Sequence, residues 1–327
     1  MRDRYVSFGW LAAAAIAIST GCGGGGGSSP GSNTTVPIWA IAGDTQTIKR
    51  LSSSADHQEG NLDYIPSALA MGEGALWALS ESGKLMRINK STLAVEVTID
   101  ISGWPRDVAV AGGAVWVATD PNSAGKPSLL RFDPETQQLL GTTEVGNDND
   151  QVSELAVTET AVYALIENGF GVARIAADTG AVEKTVRLGA AGGYGYGEIS
   201  VRGDALWVLD TYSDKLMRLN ATSLEEEVGE SVSSDLDGDL AAGSDKVYAT
   251  SLDGEKAVVF DATTGKSVME VPLGGRPKGR ATLVTKAGVL LIGLADQEGG
   301  DLLMFDAKSA GEKGSIPAAF ADDLVAE

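Results

Sequence analysis

Between Asp107 and Gly146 the chain alternates short apolar runs with turn-forming residues: DVAVA, AVWVAT, SLLRF and QLLGTTEV. Each run is rich in β-branched or aromatic residues, and each is closed by Gly, Asp, Asn or Pro, which favour turns over strands. The pattern predicts four short antiparallel strands joined as a meander. One such sheet would leave both faces apolar and exposed, so it cannot stand alone and needs copies of itself.

The copies are visible at the second strand. Its aromatic position recurs as Trp39, Trp77, Trp116, Tyr163, Trp207 and Tyr248, then as Leu291, at intervals of 38 to 47 residues. A second ladder runs on the third strand, with Arg50, Arg87, Arg131, Arg174 and Arg218 followed by Val259 and Met304. That strand then closes in an Asx turn at Asn89, Asp133, Asn220, Asp261 and Asp306. Two ladders with one period of four strands are the signature of β-propeller blades. The repeat around Trp39 has no inner strand ahead of it, whereas the chain ends in FADDLVAE, an inner strand with no repeat behind it. Joining them predicts a seventh blade, closed by the C-terminal strand, which removes exposed sheet edges. From Thr34 to Glu327 there are 294 residues, seven times 42. The expected fold is therefore all-β: one seven-bladed propeller over 36–327, with no helix required.

Ahead of it, Arg2 and Arg4 precede an apolar run, Trp10 to Ile18, that is too short to span a bilayer. Ser19-Thr20-Gly21-Cys22 follows, and Cys22 is the chain's one cysteine. This segment resembles a bacterial lipoprotein signal, which implies cleavage after residue 21 and lipidation of Cys22. By the same resemblance, Gly23 in place of Asp implies the outer membrane. Residues 22–35 are then the lipidated Cys and a Gly/Ser-rich tether without apolar periodicity.

Net charge is −20, and loss of Arg2, Asp3 and Arg4 with the leader makes it one more negative. Nucleic acid and anionic lipid surfaces need a basic patch, so neither is an expected partner, and membrane contact comes through the lipid anchor alone.

Two blade tails, FDATTGKSVMEVPLG (260–274) and IAADTGAVEKTVRLG (175–189), carry a D-x-x-T-G-type turn. They resemble the YVTN/YncE-like, quinoprotein-like propellers, and the resemblance spans residues 36–327. It implies architecture more than activity, because the turn shapes the blade. Quinone-dependent relatives imply a vicinal Cys pair and tail tryptophans, which this chain lacks. Streptogramin-lyase relatives imply several histidines, and this chain has His57 alone, in the polar stretch SADHQEGN. Lactonase-type relatives imply a divalent cation held by channel carboxylates, which are plentiful here.

In a propeller, the connections from one blade's outer strand to the next blade's inner strand line one mouth of the channel. Those connections supply Trp104, Arg106, Tyr194, Tyr196, Arg276 and Arg280 as candidate ligand- or partner-binding residues. Nine residues or so before the aromatic ladder stand Asp107, Glu154, Glu198 and Asp239, four acids at one structural position in successive blades. Carboxylates converging on a narrow axis raise one another's pKa unless a cation offsets them. The competing structural reading is that each acid accepts hydrogen bonds from backbone amides and holds blades together. Asp235-x-Asp237-Gly-Asp239 also resembles the start of a calcium loop, without the distal Glu at the usual spacing.

The expected function is thus a lipid-anchored cell-envelope binding module with no resident cofactor. Its mouth would engage an envelope protein or a small ligand. The alternative is a divalent-metal-dependent lactonase or lyase using the acidic ring, with Ca²⁺ at Asp235, Asp237 and Asp239.

Overall fold

The computed structural model describes residues 37–41, 45–51, 57–121, 124–189, 197–233, 236, 238–251, 256–273, 281–286, 289–294, 302–306, 312–316 and 323–326. Among the described residues every regular element is a β-strand, and the strands form seven four-stranded antiparallel sheets. Sheet I joins Ile38–Ile41, Thr47–Leu51 and Gln58–Asn61, with Asp323–Ala326 on the open side of Ile38–Ile41. Sheet II runs Ala68–Gly72, Ala75–Ser80, Lys84–Ile88 and Val95–Asp100, and sheet III runs Trp104–Ala111, Ala114–Asp120, Ser128–Phe132 and Leu139–Glu144. Sheet IV comprises Val152–Val157, Ala161–Ile166, Gly171–Ala176 and Val182–Arg187; sheet V comprises Gly197–Arg202, Ala205–Asp210, Lys215–Asn220 and Glu226–Ser231. Sheet VI holds Leu240–Ala242, Lys246–Thr250, Lys256–Asp261 and Ser267–Pro272. Sheet VII holds Ala281–Lys286, Val289–Leu294, Leu302–Asp306 and Glu312–Ile316.

The first strands of consecutive sheets lie against one another from II through VII, and Asp323–Ala326 touches the first strands of both VII and II. Second strands are buried along their whole length in sheets II to V, whereas the fourth strand of sheet II alternates between half-buried and exposed positions. The reason is position: a second strand has a neighbouring sheet on each face, so it reads as a continuous apolar run. Each core cluster is accordingly built from two adjacent sheets, as where Trp77 and Leu79 of sheet II pack with Val115, Val117 and Phe132 of sheet III.

The aromatic ladder is the centre of these clusters. Trp39, Trp77, Trp116, Tyr163, Trp207 and Tyr248 are all buried, each withdrawing a large apolar surface from water. In sheets III, IV and V the aromatic also meets the turn between the third and fourth strands of the next sheet. The Tyr163 hydroxyl donates to the Ala221 carbonyl at 2.8 Å. Gly180 and Gly265 lie in such turns, where an added Cβ would stand 3.7 Å from Trp116 and 3.8 Å from Trp207. The arginine ladder reaches the same turns: Arg131 donates to the Asp178 carbonyl, and Arg174 Nε to that of Ala221 at 3.1 Å. Arg87, Arg174 and Arg218 also pair with Glu96, Glu183 and Glu227 on their own fourth strands. Asn89, Asp133, Asn220 and Asp261 shape the turns themselves, each accepting from the amides two and three residues on. Those bonds favour the carboxylate and hold Asp133 and Asp261 below their ordinary pKa.

Gly265 tests the interlock. Its φ of +72° is strained for any L side chain, and an added Cβ would lie 2.8 Å from Val228 Cγ1. Gly203 has a φ of +62° with nothing within 4 Å. Gly203→Ala should cost about 1 kcal/mol for backbone strain alone, and Gly265→Ala should cost more, about 2–3 kcal/mol. Denaturant midpoints of the two variants measure the difference; equal losses would show that the turn does not bear on the neighbouring sheet.

Candidate functional site at the channel mouth

Antiparallel register places the start of each first strand beside the end of its second strand: Trp104 faces Asp120, and Gly197 faces Asp210. The sheet-to-sheet connections and the turns between second and third strands therefore share one end of the molecule, the mouth. Sequence reasoning places Trp104 and Arg106 in a loop; in the structure both lie on the first strand of sheet III, which begins at Trp104. Its pairing shifts between Pro105 and Asp107, so Arg106 is the extra residue of a bulge. A bulge re-aims side chains locally. Here it leaves Trp104 62% exposed while Arg106 Nε donates to Asp120 Oδ2 at 2.5 Å. The Ile65 and Tyr212 side chains are also exposed at this end, at 46% and 70%.

The four acids meet beneath that rim. One carboxylate oxygen from each of Glu154, Glu198 and Asp239 lies within 4.8 Å of the other two. Asp107 belongs to the same group electrostatically, because its charge acts on Glu154. Burial is the largest force on Glu154, pushing its pKa well up, and Glu198, Asp239 and Asp107 push it further in that order. Asp107 is buried too and also stands well above the ordinary carboxylate range, opposed by two backbone amides.

Those amides show what the acids do for the fold. Asp107 Oδ2 accepts from Leu155 N of sheet IV at 2.6 Å, and its Oδ1 accepts from Val108 N. Glu154 Oε2 accepts from Ile199 N of sheet V at 2.7 Å, and Asp239 Oδ1 accepts from Leu240 N at 2.7 Å. The acids therefore form a ring of like charges, and two of them, Asp107 and Glu154, are also bridges between sheets. Among the other acidic turns, Asp150 turns inward, its Oδ2 accepting from Asn147 N at 2.6 Å. Tyr194, Tyr196, Arg276, Arg280, Asp235, Asp237, Cys22, the leader and the tether lie outside the described residues.

Sequence reasoning passes over a second set of mouth residues. A polar side chain ends the second strand or directly follows it, three or four positions after the aromatic: Ser80, Asp120, Glu167, Asp210 and Ser251, all buried. That recurrence was readable beside the aromatic ladder. Asp120 Oδ1 accepts from Val152 N of sheet IV at 3.2 Å, and burial raises its pKa against the opposing pull of Arg106. Asp210 caps its own turn, accepting from Tyr212 N and Ser213 N at 3.0 and 3.1 Å.

No protein-family model matches the chain, and no curated protein matches it. Among solved structures it is similar to BamB from Moraxella catarrhalis, at 17% identity over 89% of this chain and 85% of that one, with a TM-score of 0.58. It is also similar to a functionally unknown protein from Desulfotomaculum acetoxidans, at 13% identity over 89% of this chain and 99% of that one, with a TM-score of 0.71. At these identities the likeness shows the fold, a β-propeller of four-stranded antiparallel sheets. A fold shared this widely decides no activity.

Asp107 separates its two roles by substitution. Asp107→Ala orphans two buried amides, a cost of about 1–3 kcal/mol for each. Asp107→Asn keeps a carbonyl acceptor and should lose distinctly less. Urea midpoints near pH 7 give the comparison, and equal losses would remove the amide bridge as the cause.

Proposed function

We propose that this protein is a lipid-anchored, cell-envelope propeller that binds a protein segment or small ligand at its mouth and performs no reaction of its own. The observation that carries the reading is the mouth's make-up: Trp104 and Tyr212 stand 62% and 70% exposed on a rigid scaffold. Exposed aromatics held in place are what binding interfaces use as anchors, since they bury much area at little entropic cost. We assign Arg106, Tyr194, Tyr196, Arg276 and Arg280 to the same binding role, together with the acids Asp107, Glu154, Glu198 and Asp239. The likeness to BamB supports the propeller fold on which such a mouth is built.

We take residues 36–327 as one YVTN/YncE-like propeller of seven blades closed by the C-terminal strand. The pairing of Asp323–Ala326 with Ile38–Ile41 supports that closure. The basic N-terminus, the apolar run and the single Cys22 support a cleaved leader and an anchor on the outer membrane. Cys22→Ser should move the protein from the membrane fraction to the soluble one or leave it unprocessed. Membrane association that survives the change would discard the anchor.

A second reading rests on one observation, the three carboxylates of Glu154, Glu198 and Asp239 within 4.8 Å. Oxygen donors this close suit a hard divalent cation such as Ca²⁺, with Asp235 and Asp237 as further ligands, and would serve a metal-dependent lactonase or lyase.

One experiment weighs both. A photo-crosslinking residue placed at Trp104 or Tyr212 of the anchored protein should give one discrete adduct in envelope preparations, and none when placed at the outer-strand Val268. The same pattern at all three positions would defeat mouth binding. In parallel, calcium should leave the melting temperature unmoved if the ring holds no metal. A calcium-dependent rise seen in the wild type and lost in Glu154→Gln/Glu198→Gln would favour the metal reading.

A further inference from the structure

Glu167 is the most anomalous group at the mouth, and neither functional reading uses it. It follows the second strand of sheet IV, at the start of the turn into the third strand, and its side chain is 1% exposed. Both of its carboxyl oxygens are buried without a hydrogen-bond partner. A native protein rarely leaves such a group unexplained. An ionised carboxylate would need donors for both oxygens, and Arg106, the cation whose charge reaches it, is already engaged by Asp120.

The turn it opens is itself strained. Asn168 and Phe170 take φ values of +54° and +22°, left-handed conformations that side-chain-bearing residues seldom adopt. Contacts to several elements hold the turn down, including the Phe170 carbonyl accepting from Leu188 N at 2.9 Å. Phe170 is buried in the core shared by sheets IV and V, Asn168 Nδ2 donates to the Asn149 carbonyl at 2.8 Å, and Glu167 N donates to the Gln151 carbonyl at 2.8 Å. The charged groups around it come from several elements. Arg106 and Asp120 face Glu167 from sheet III, while Asp150 and Arg187 lie against Gly169, with an added Cβ there 3.2 Å from Asp150 Oδ1 and 3.5 Å from Arg187 Nη2.

We infer that Glu167 is a proton-operated latch on this turn. In its neutral form it seats residues 167–170 against the Arg106–Asp120 pair; once ionised, it drives them out toward solvent. The inference goes beyond binding at the mouth and stands whether or not the mouth engages a protein.

The electrostatics agree with the geometry. Burial raises the Glu167 pKa from 4.5 to about 8, with Arg106 pulling it down and Asp120 pushing it up. The seated state therefore holds the proton more tightly than a released, solvated glutamate does. Its advantage is fully present below about pH 4.5, declines as pH rises, and is exhausted above about 8.

Amide hydrogen exchange on the full-length protein between pH 5 and 9 tests this, after correction for the intrinsic rise of exchange with pH. The opening equilibrium of residues 167–170 should climb by up to about tenfold per pH unit and level off above about pH 8. Residues 206–209, in the second strand of sheet V, serve as the reference and should lack that climb. In Glu167→Gln the turn should lose its pH dependence and follow the reference. A wild type and a Gln variant with the same pH dependence would overturn the latch. Should the variant not fold, the wild-type comparison decides alone: a turn that parallels residues 206–209 throughout overturns it.

Discussion

No sheet in this protein can bury its own second strand. Its two faces need the flanks of two neighbours; the aromatic at its centre packs on the next sheet, and in sheets III, IV and V it also meets that sheet's third-to-fourth turn. Trp116 meets the turn at Gly180, Tyr163 bonds the turn at Ala221, and Trp207 meets the turn at Gly265. Arg131 and Arg174 add hydrogen bonds to the same turns, so apolar and polar contacts fall on one joint. Stability is for that reason a property of neighbouring pairs of sheets, as in other repeat folds. The ion pairs along the fourth strands are partly exposed and add little by comparison.

This joint occupies one end of the sheets and leaves the other free. At the mouth, the acids form a graded series along the ring. Asp107 is fully enclosed with both oxygens on amides; Glu154 is enclosed and electrostatically tied to the rest; Glu198 and Asp239 are half-buried. What Asp107 does is structural. Capacity to meet a cationic group grows toward Glu198 and Asp239, where solvent can reach the carboxylates.

The all-β repeat was legible because two residue types return at one period, and each marks a position with a single environment. The acids were legible for the same reason: all four stand in the first half of a first strand or just before it, and first strands converge. The Arg106–Asp120–Glu167 group was not, because its members come from different strand positions in two sheets. It also depends on a bulge that shifts Arg106 by one residue, and the alternation of apolar and polar positions does not reveal that shift. Nor does sequence say that an aromatic grips the turn of the following sheet, since that depends on how successive sheets are stacked. Trp104 was misplaced into a loop because the Gly103-Trp104-Pro105 stretch reads as a turn, whereas the pairing of Pro105 with Thr119 keeps it extended.

Why a chain already at −20 buries more carboxylates follows from strand geometry. Each first strand is an edge: one side pairs with its second strand, and the other presents amides that no strand can accept. An unpaired buried amide costs about as much as a lost hydrogen bond. Another strand there would fill the channel, so side chains from the preceding sheet take its place: Asp107 accepts from Leu155 N, Glu154 from Ile199 N, and Ser200 Oγ from Ala242 N at 3.0 Å. A short acceptor anchored one sheet back can reach such an amide without adding a backbone. Serine fills that role without charge, so charge is not required by the bond itself. Where acids stand instead, the ring gains an electrostatic character that the fold does not need, and that excess is what a cationic ligand could use.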